Sequence, residues 1–315
     1  MIWAILFGVM FLFYLVTVWR AEQFEKRAVL QTPAIGSFVN VDGIRFHYLV
    51  KGQGPALIIL HGAGGNLKDF TYSWLDTLSE NYTVILFDRL GHGHTDQPKK
   101  SGASLTLQAD LAVKLAKALG HDQAYVMGYS YGGALGLHMA INHRDFVKGL
   151  TLVSSVSMPW PGRIHFNYRL AAKPVVGFFV LSILNAYFKE SYFRKTYKSI
   201  FSPARPPKGY LKHVGVNLSI RRNSFSENAR QLNNLRDQIV EQSKFYADLT
   251  LPIEMVHGLA DLSVPPQIHS QKFIKHVPHA RLVLAEGVGH GAHHLASDEI
   301  HAAIRTMRNK AELPN

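Results

Sequence analysis

With 315 residues, 47% of them hydrophobic, the chain can bury the core of one large domain, or of one domain carrying an insertion. It has no cysteine, which excludes disulfides and thiolate metal sites. The formal charge of +12 leaves two partner classes open, nucleic acid and an anionic membrane surface.

Met1 to Trp19 contains no charged residue. At about 1.5 Å per residue such a helix reaches roughly 28 Å, close to the thickness of a bilayer core. Trp3 and Trp19 stand near its ends, where indole rings favour the interface. A cleaved signal peptide is the competing reading. It needs a basic leader and a small-residue cleavage site, and neither is present, since Val16-Thr17-Val18 is bulky. An uncleaved anchor is therefore expected. Arg20, Lys26 and Arg27 follow it, which by the positive-inside rule puts the bulk of the protein in the cytoplasm, with the opposite face as the alternative.

Ala21 to Gln31 is polar and reads as a helical stalk. Phe38–Val41 and Ile44–Lys51 flank Asp42-Gly43, a hairpin signal. Ala56–Leu60, Tyr82–Asp88, Ala124–Gly128 and Val147–Ser154 are short apolar runs that read as buried strands. Leu105 to Leu119 has helical spacing and stops at Gly120. Apolar strands separated by helices imply a parallel sheet covered on both faces.

From about Ser157 to Leu249 the alternation stops. This segment reads as several helices with joints at Pro159-Trp160-Pro161 and Pro203 to Pro207. Within it, Pro174 to Phe188 is strongly apolar yet too short to span a bilayer. The stretch from Trp160 to Arg222 is strongly basic, with Glu190 its lone acid. Beside an N-terminal anchor, that charge favours an anionic membrane over nucleic acid, a solvated basic face being the plainer alternative. Strands resume at Ile253–Val256 and Ala280–Ala285. The expected division is an anchor at 1–19, a stalk at 20–35, and one α/β domain in two parts, 36–156 and 251–315. A helical insertion at 157–250 interrupts that domain.

The pattern that carries chemistry is Gly128-Tyr129-Ser130-Tyr131-Gly132, followed by Gly133. An apolar strand precedes it and a helix-like run, Ala134 to His143, follows, which is the context that gives G-x-S-x-G its meaning. Glycine tolerates the backbone angles of so sharp a turn. A serine hydroxyl is unreactive at neutral pH and needs an adjacent base. The plainer alternative is a structural serine in a glycine-rich turn.

Further patterns stand at the ends of the other strands: His61-Gly62-Ala63-Gly64-Gly65, Asp88 to Asp96, Gly258-Leu259-Ala260-Asp261 and Gly289-His290. Together and in this order they resemble the α/β-hydrolase family over nearly all of Phe38 to Arg308. The resemblance implies a mostly parallel eight-stranded sheet with helices on both faces and a helical cap. It implies Ser130 as nucleophile, His290 as base and Asp261 as the acid that orients it, in the chain order Ser, Asp, His. It also implies an oxyanion hole made by the backbone N–H groups of Ala63 and Tyr131. His276, His279, His293 and His294 compete for the base, and Asp88, Asp96, Asp237 and Asp248 for the acid. His293 and His294 are expected to begin a helix, and the Asp88–Asp96 loop to be a structural turn. A phosphate-binding reading of Gly62 to Gly65 lacks the lysine such loops carry.

A serine at the elbow disfavours the epoxide-opening and dehalogenating relatives, which use a carboxylate there. The expected protein is a membrane-anchored serine hydrolase of a lipophilic carboxylic ester, similar in architecture to membrane-bound monoacylglycerol lipases of this fold. No cofactor, metal or nucleic acid is expected to take part. A carbon–carbon bond hydrolase, an amidase or aminopeptidase, an acyltransferase and a non-catalytic membrane-tethered binding protein remain as alternatives.

Overall fold

The computed structural model describes residues 1–98, 102–187 and 190–313, with the backbone alone for 190–193. Eight strands form one sheet: β1 (Ser37–Val41), β2 (Ile44–Lys51), β3 (Ala56–Leu60), β4 (Thr83–Phe87), β5 (Ala124–Tyr129), β6 (Val147–Val153), β7 (Ile253–Gly258) and β8 (Arg281–Ala285). Their spatial order is β1-β2-β4-β3-β5-β6-β7-β8. β2 pairs antiparallel with β1 and β4, and the other pairings are parallel. The β1–β2 turn at Asp42-Gly43 has positive φ at both residues (50° and 79°), the geometry that suits the right-handed twist of a hairpin.

The helices begin with α1 (Ile2–Gln31), a single unbroken element. The expected anchor and stalk are thus one helix, about 45 Å long. Arg20 makes no break because long basic side chains are good helix formers. By length and composition α1 can cross a membrane. Next come α2 (Lys68–Thr71), α3 (Leu75–Ser79), α4 (Leu105–Ala118) and α5 (Tyr131–Asn142). Between β6 and β7 the described residues form α6 (Phe166–Ala171), α7 (Pro174–Tyr187), α8 (Glu190–Phe201), α9 (Tyr210–Val214), α10 (Val216–Ser219) and α11 (Arg222–Gln242), closed by a 3₁₀ turn at Ser243–Asp248. This segment contains no strand among the described residues and is called the insert below. The apolar run expected to reach Phe188 is described as far as Tyr187; Phe188 lies outside the described residues. The chain ends with α12 (Ser270–His276), α13 (Ala292–Leu295) and α14 (Ser297–Glu312).

Two apolar layers sandwich the sheet. On one face Leu111, Leu115, Leu135 and Met139 of α4 and α5 pack against Ile58, Ile85 and Val126. On the other, Phe70, Trp74, Ile300, Ile304 and Met307 cover Leu57, Ile59, Leu86 and Met127. Covering both faces forces β3, β4 and β5 to be apolar at successive positions, so these strands show no alternation. Loops at the C-terminal ends of parallel strands then converge on one edge, where side chains can meet.

Candidate active site

β5 turns into α5 through a single residue, Ser130, at φ 54° and ψ −117°. A non-glycine residue in that region is strained by about 1–3 kcal/mol, so the surroundings must hold it there. They do: the Ser130 N–H donates to Val153 O at 2.9 Å, and the Val156 N–H donates to Ser130 O at 3.2 Å. The flanking glycines answer to space. A Cβ on Gly132 would run into the Leu60 carbonyl, and one on Gly133 into Ser155 Oγ. The start of α5 can approach the end of β3 and the residues after β6 this closely only with bare backbone at those positions.

The Ser130 hydroxyl lies 3.0 Å from His290 Nε2, and His290 Nδ1 lies 2.7 Å from Asp261 Oδ2. All three residues are buried. Asp261 follows β7, and its other oxygen accepts the N–H groups of Ser263 and Val264 at 2.8 and 2.9 Å. Burial alone would raise the Asp261 pKa. Hydrogen bonds from His257 and His290, with the backbone N–H of Val264, outweigh it and hold the group well below the usual carboxylate range. Ionised at neutral pH, Asp261 fixes the proton of His290 on Nδ1 and leaves Nε2 to accept from the serine. His290 packs against the ring of Tyr129, with centroids 5.2 Å apart.

The loop after β3 faces this chain of bonds, and a Cβ on Gly62 would lie 3.2 Å from Ser130 Cβ. Among the described residues no acceptor takes the N–H of Ala63 or of Tyr131. Tyr131 is the first residue of α5, so the positive end of the helix dipole lies beneath the serine. His61 is a strut of this loop. Its Nδ1 donates to Gly62 O at 2.9 Å and its Nε2 accepts the N–H of Arg89 at 2.9 Å. Burial, helped by the charge of Arg89, lowers its pKa to about 3, so it is neutral.

The competing residues lie outside this chain of bonds. Asp88 accepts from the N–H groups of Leu67 and His94 and pairs with His47 at 2.6 Å, which makes its loop a structural turn. Asp96 lies near Arg45, while Asp237 and Asp248 are exposed. His276 ends α12, and His279 bonds the Leu251 carbonyl. His293 and His294 do begin a helix, α13, and both direct Nε2 at Asp69 Oδ1, at 3.2 and 3.0 Å. These three groups have the donor types of a metal site and lie close together. They are already engaged with one another, and Tyr210 adds its hydroxyl to the same Asp69 oxygen at 2.6 Å.

Three features escape a reading of the sequence. Asn228 of α11 accepts the Gly64 N–H at 2.8 Å. The buried Arg89 guanidinium donates to His61 O, Gly62 O, Gln108 Oε1 and Gln231 Oε1, and it stacks over Tyr131 at 4.2 Å. His293 stacks on Tyr129 at 3.8 Å. Only Arg89 had a local signal, as an arginine directly after a buried strand.

A family model described as the alpha/beta hydrolase fold matches residues 55–180. Over 120 residues the chain is 35% identical to a dihydrolipoyllysine-residue acetyltransferase component of an acetoin cleaving system from Cupriavidus necator, covering 38% of this chain and 32% of that one. Other curated relatives, 30–31% identical over 38–41% of this chain, are named as a proline iminopeptidase, an epoxide hydrolase and a 2-hydroxymuconate semialdehyde hydrolase. The match spans 32% to 47% of the length of these relatives. Among solved structures, a 2-hydroxy-6-oxo-6-phenylhexa-2,4-dienoate hydrolase from Rhodococcus sp. superposes with a TM-score of 0.72 at 21% identity, over 87% of this chain and 98% of that one. A structure described as a membrane phospholipase A, a bacterial virulence factor, gives a TM-score of 0.68 at 20% identity, over 98% of this chain and 97% of that one. At these identities the likeness is one of fold.

Proposed function

We propose that this member of the α/β-hydrolase fold family is a membrane-anchored serine hydrolase of lipophilic carboxylic esters. The observation that carries the chemistry is the unbroken chain of bonds from Ser130 Oγ through His290 to the ionised Asp261. Ser130 attacks the ester carbonyl while His290 Nε2 takes its proton. The carbonyl oxygen becomes an oxyanion between the N–H groups of Ala63 and Tyr131. His290 then returns the proton to the leaving alcohol. Water, deprotonated by the same imidazole, releases the acid from Ser130. Asp261 stays ionised throughout and stabilises the imidazolium. This chemistry needs no cofactor and no metal.

The lipophilic part of the reading rests on α1, whose outward surface is apolar from Ile2 to Trp19. The membrane phospholipase A whose structure matches 98% of this chain supports the same direction. Arg20, Lys26 and Arg27 argue for a globular domain on the cytoplasmic side. A reporter at the C-terminus tests that orientation, and activity confined to the outer face overturns it. Carbon–carbon bond hydrolysis is the second reading. It is favoured by the names of two relatives, the semialdehyde hydrolase and the phenylhexadienoate hydrolase.

The deciding experiment uses the full-length protein in detergent, with acyl esters, monoacylglycerol, phospholipid and a vinylogous diketo acid offered in parallel. Ester hydrolysis that exceeds cleavage of the diketo acid, and that falls at least about a thousandfold in Ser130→Ala, supports the proposal. Retained ester hydrolysis in Ser130→Ala refutes the assigned nucleophile.

A further inference from the structure

α7 is built inside out for a water-soluble helix. Its buried positions include the polar Ser182 and Asn185, whereas its exposed positions include Val175, Val176, Phe178, Phe179, Val180, Ile183 and Tyr187. A helix facing water places its polar stripe outward. A contiguous apolar face on one helix marks a surface that another phase or molecule covers.

The contacts of α7 fix where that face lies along α1. Asn185 Nδ2 donates to Glu25 Oε1 at 3.3 Å, Arg20 Nε donates to Ala186 O at 3.1 Å, and Arg222 of α11 clamps Glu25 at 2.9 and 3.0 Å. These polar links all lie at the charged level of α1. The apolar side of α7 meets the uncharged level instead. Tyr187 stacks near Phe13 and approaches the Thr17 hydroxyl at 3.0 Å, and the Phe179 ring packs 5.5 Å from Tyr14. Between the two helices, Val9, Met10, Phe13, Phe179 and Ile183 line an almost wholly apolar groove of about 470 Å³. Tyr14 precedes Arg20 by six residues, which along a helix is about 9 Å. Phe178 lies under Arg222 and Tyr187 under Arg20, at the charged level, while the part of the exposed face about Phe179 and Ile183 sits several ångströms past the first charge of α1, on the side of the uncharged segment.

We infer that α7 lies in the membrane interface beside α1, with its exposed apolar face covered by the lipid chains of one leaflet. This inference rests on the reading of α1 as a membrane anchor. The arrangement is that of an in-plane helix, polar side toward the protein and apolar side toward the hydrocarbon. Arg169 and Lys173, which precede α7, and Arg20 beside its end supply cations at headgroup level. The bilayer then holds the molecule at two places rather than one. The second place belongs to the insert: α7 packs on α11 through Leu181 and Ala229, and α11 carries Asn228, which bonds Gly64 in the loop whose Gly62 approaches Ser130. The part of the insert that holds the loop after β3 is thereby seated on the lipid surface.

The absence of cysteine makes the test clean. Single variants Val176→Cys and Val180→Cys, with Phe11→Cys and Lys208→Cys as references, are spin-labelled in the full-length protein and placed in vesicles of zwitterionic and anionic phospholipid. Labelling of Ser130 by a fluorophosphonate verifies that each variant is folded. Collision with oxygen, which concentrates in lipid, and with a water-soluble nickel chelate is then read by power saturation. At positions 176 and 180 we expect high oxygen access, with nickel access several-fold below that at 208 and close to that at 11. Nickel access equal to that at 208, with position 11 still shielded, overturns the inference and leaves the anchor intact. Low access to both reagents at 176 and 180 means a protein partner covers the face and overturns it as well. Nickel access at position 11 itself refutes the anchor, and the inference with it.

Discussion

Asn228 Oδ1 accepts the N–H of Gly64 at 2.8 Å, joining α11 of the insert to the loop after β3 across 164 positions of sequence. That bond matters because the loop also carries the N–H of Ala63. Gly64 adopts a left-handed backbone (φ 63°), and a glycine-rich segment has little side-chain packing to fix it. Asn228 and Arg89 supply the fixing from outside.

Replacing Asn228 with Ala is expected to release Gly64 while leaving the Ser130–His290–Asp261 bonds in place. Displacing one oxyanion donor by a fraction of an ångström lowers kcat about 10- to 100-fold, with KM little altered. The stability cost is that of one buried hydrogen bond, about 1–3 kcal/mol. Steady-state kinetics on a soluble ester, together with thermal unfolding, separate the two effects. A variant with unchanged kcat removes Asn228 from the positioning of this loop.

Asp261→Asn tests the charge rather than the shape of the site. An amide can fill the same space and still accept one N–H, yet it no longer fixes the proton of His290 on Nδ1 or balances an imidazolium. The expected loss in kcat is about 10⁴-fold, with the fold retained. Ser130 in the variant should react far more slowly with a fluorophosphonate at pH 7. Full reactivity would mean that another acid serves His290.

Much of this site is legible in the sequence because its signals are local. A strand followed by glycines around a serine can adopt few geometries, and each of the strand-end motifs announces itself within about five residues. The β1–β2 hairpin is readable for the same reason, since Asp42-Gly43 favours one turn. What escapes is set by distance. Nothing near Asn228 in the chain marks it as the partner of Gly64, and nothing near Asp69 foretells the two Nε2 atoms of His293 and His294. α7 escapes for a different reason. Its composition tells that it is apolar, but which face is exposed depends on Glu25 and Arg222, which engage its polar side.

Buried neutral histidines give the protein a definite response to acid. His61 and His269 have pKa values lowered to about 3, and His293 to about 4, in each case chiefly by burial. In the unfolded chain each titrates near 6.5. Between 6.5 and the folded value the unfolded state binds more protons, so stability falls as pH falls. Each group removes roughly 2 kcal/mol by pH 5. Asp88 and Asp261, whose folded values lie below the ordinary carboxylate range, add a further loss only below about pH 4. Denaturant unfolding from pH 7 to pH 5 should show the decline. His269→Gln, which keeps an acceptor for the Met158 N–H, should make it shallower. A flat profile over that range would mean that these rings are not held neutral.

Arg89 is the sharpest test of how the loop after β3 is held. Its buried guanidinium pairs with no carboxylate among the described residues and reaches two backbone carbonyls and two glutamine side chains while stacking on Tyr131. Burial lowers its pKa to about 10, so it stays charged at neutral pH. A planar fork can serve four acceptors in different directions, whereas an ammonium group is a point and must leave some unmet. Arg89→Lys keeps the charge but strands buried acceptors, each at about 1–3 kcal/mol. The expected loss is therefore several kcal/mol in denaturant unfolding. With the His61 carbonyl unmet and the Gly62 carbonyl left to His61 Nδ1 and the Gly65 N–H, the loop that Asn228 clamps is held less firmly, so kcat falls in the folded fraction as well. Because Arg89 and Asn228 act on one loop, the double variant should lose less kcat than the product of the two single losses. Strict multiplicativity would show that they hold the loop independently.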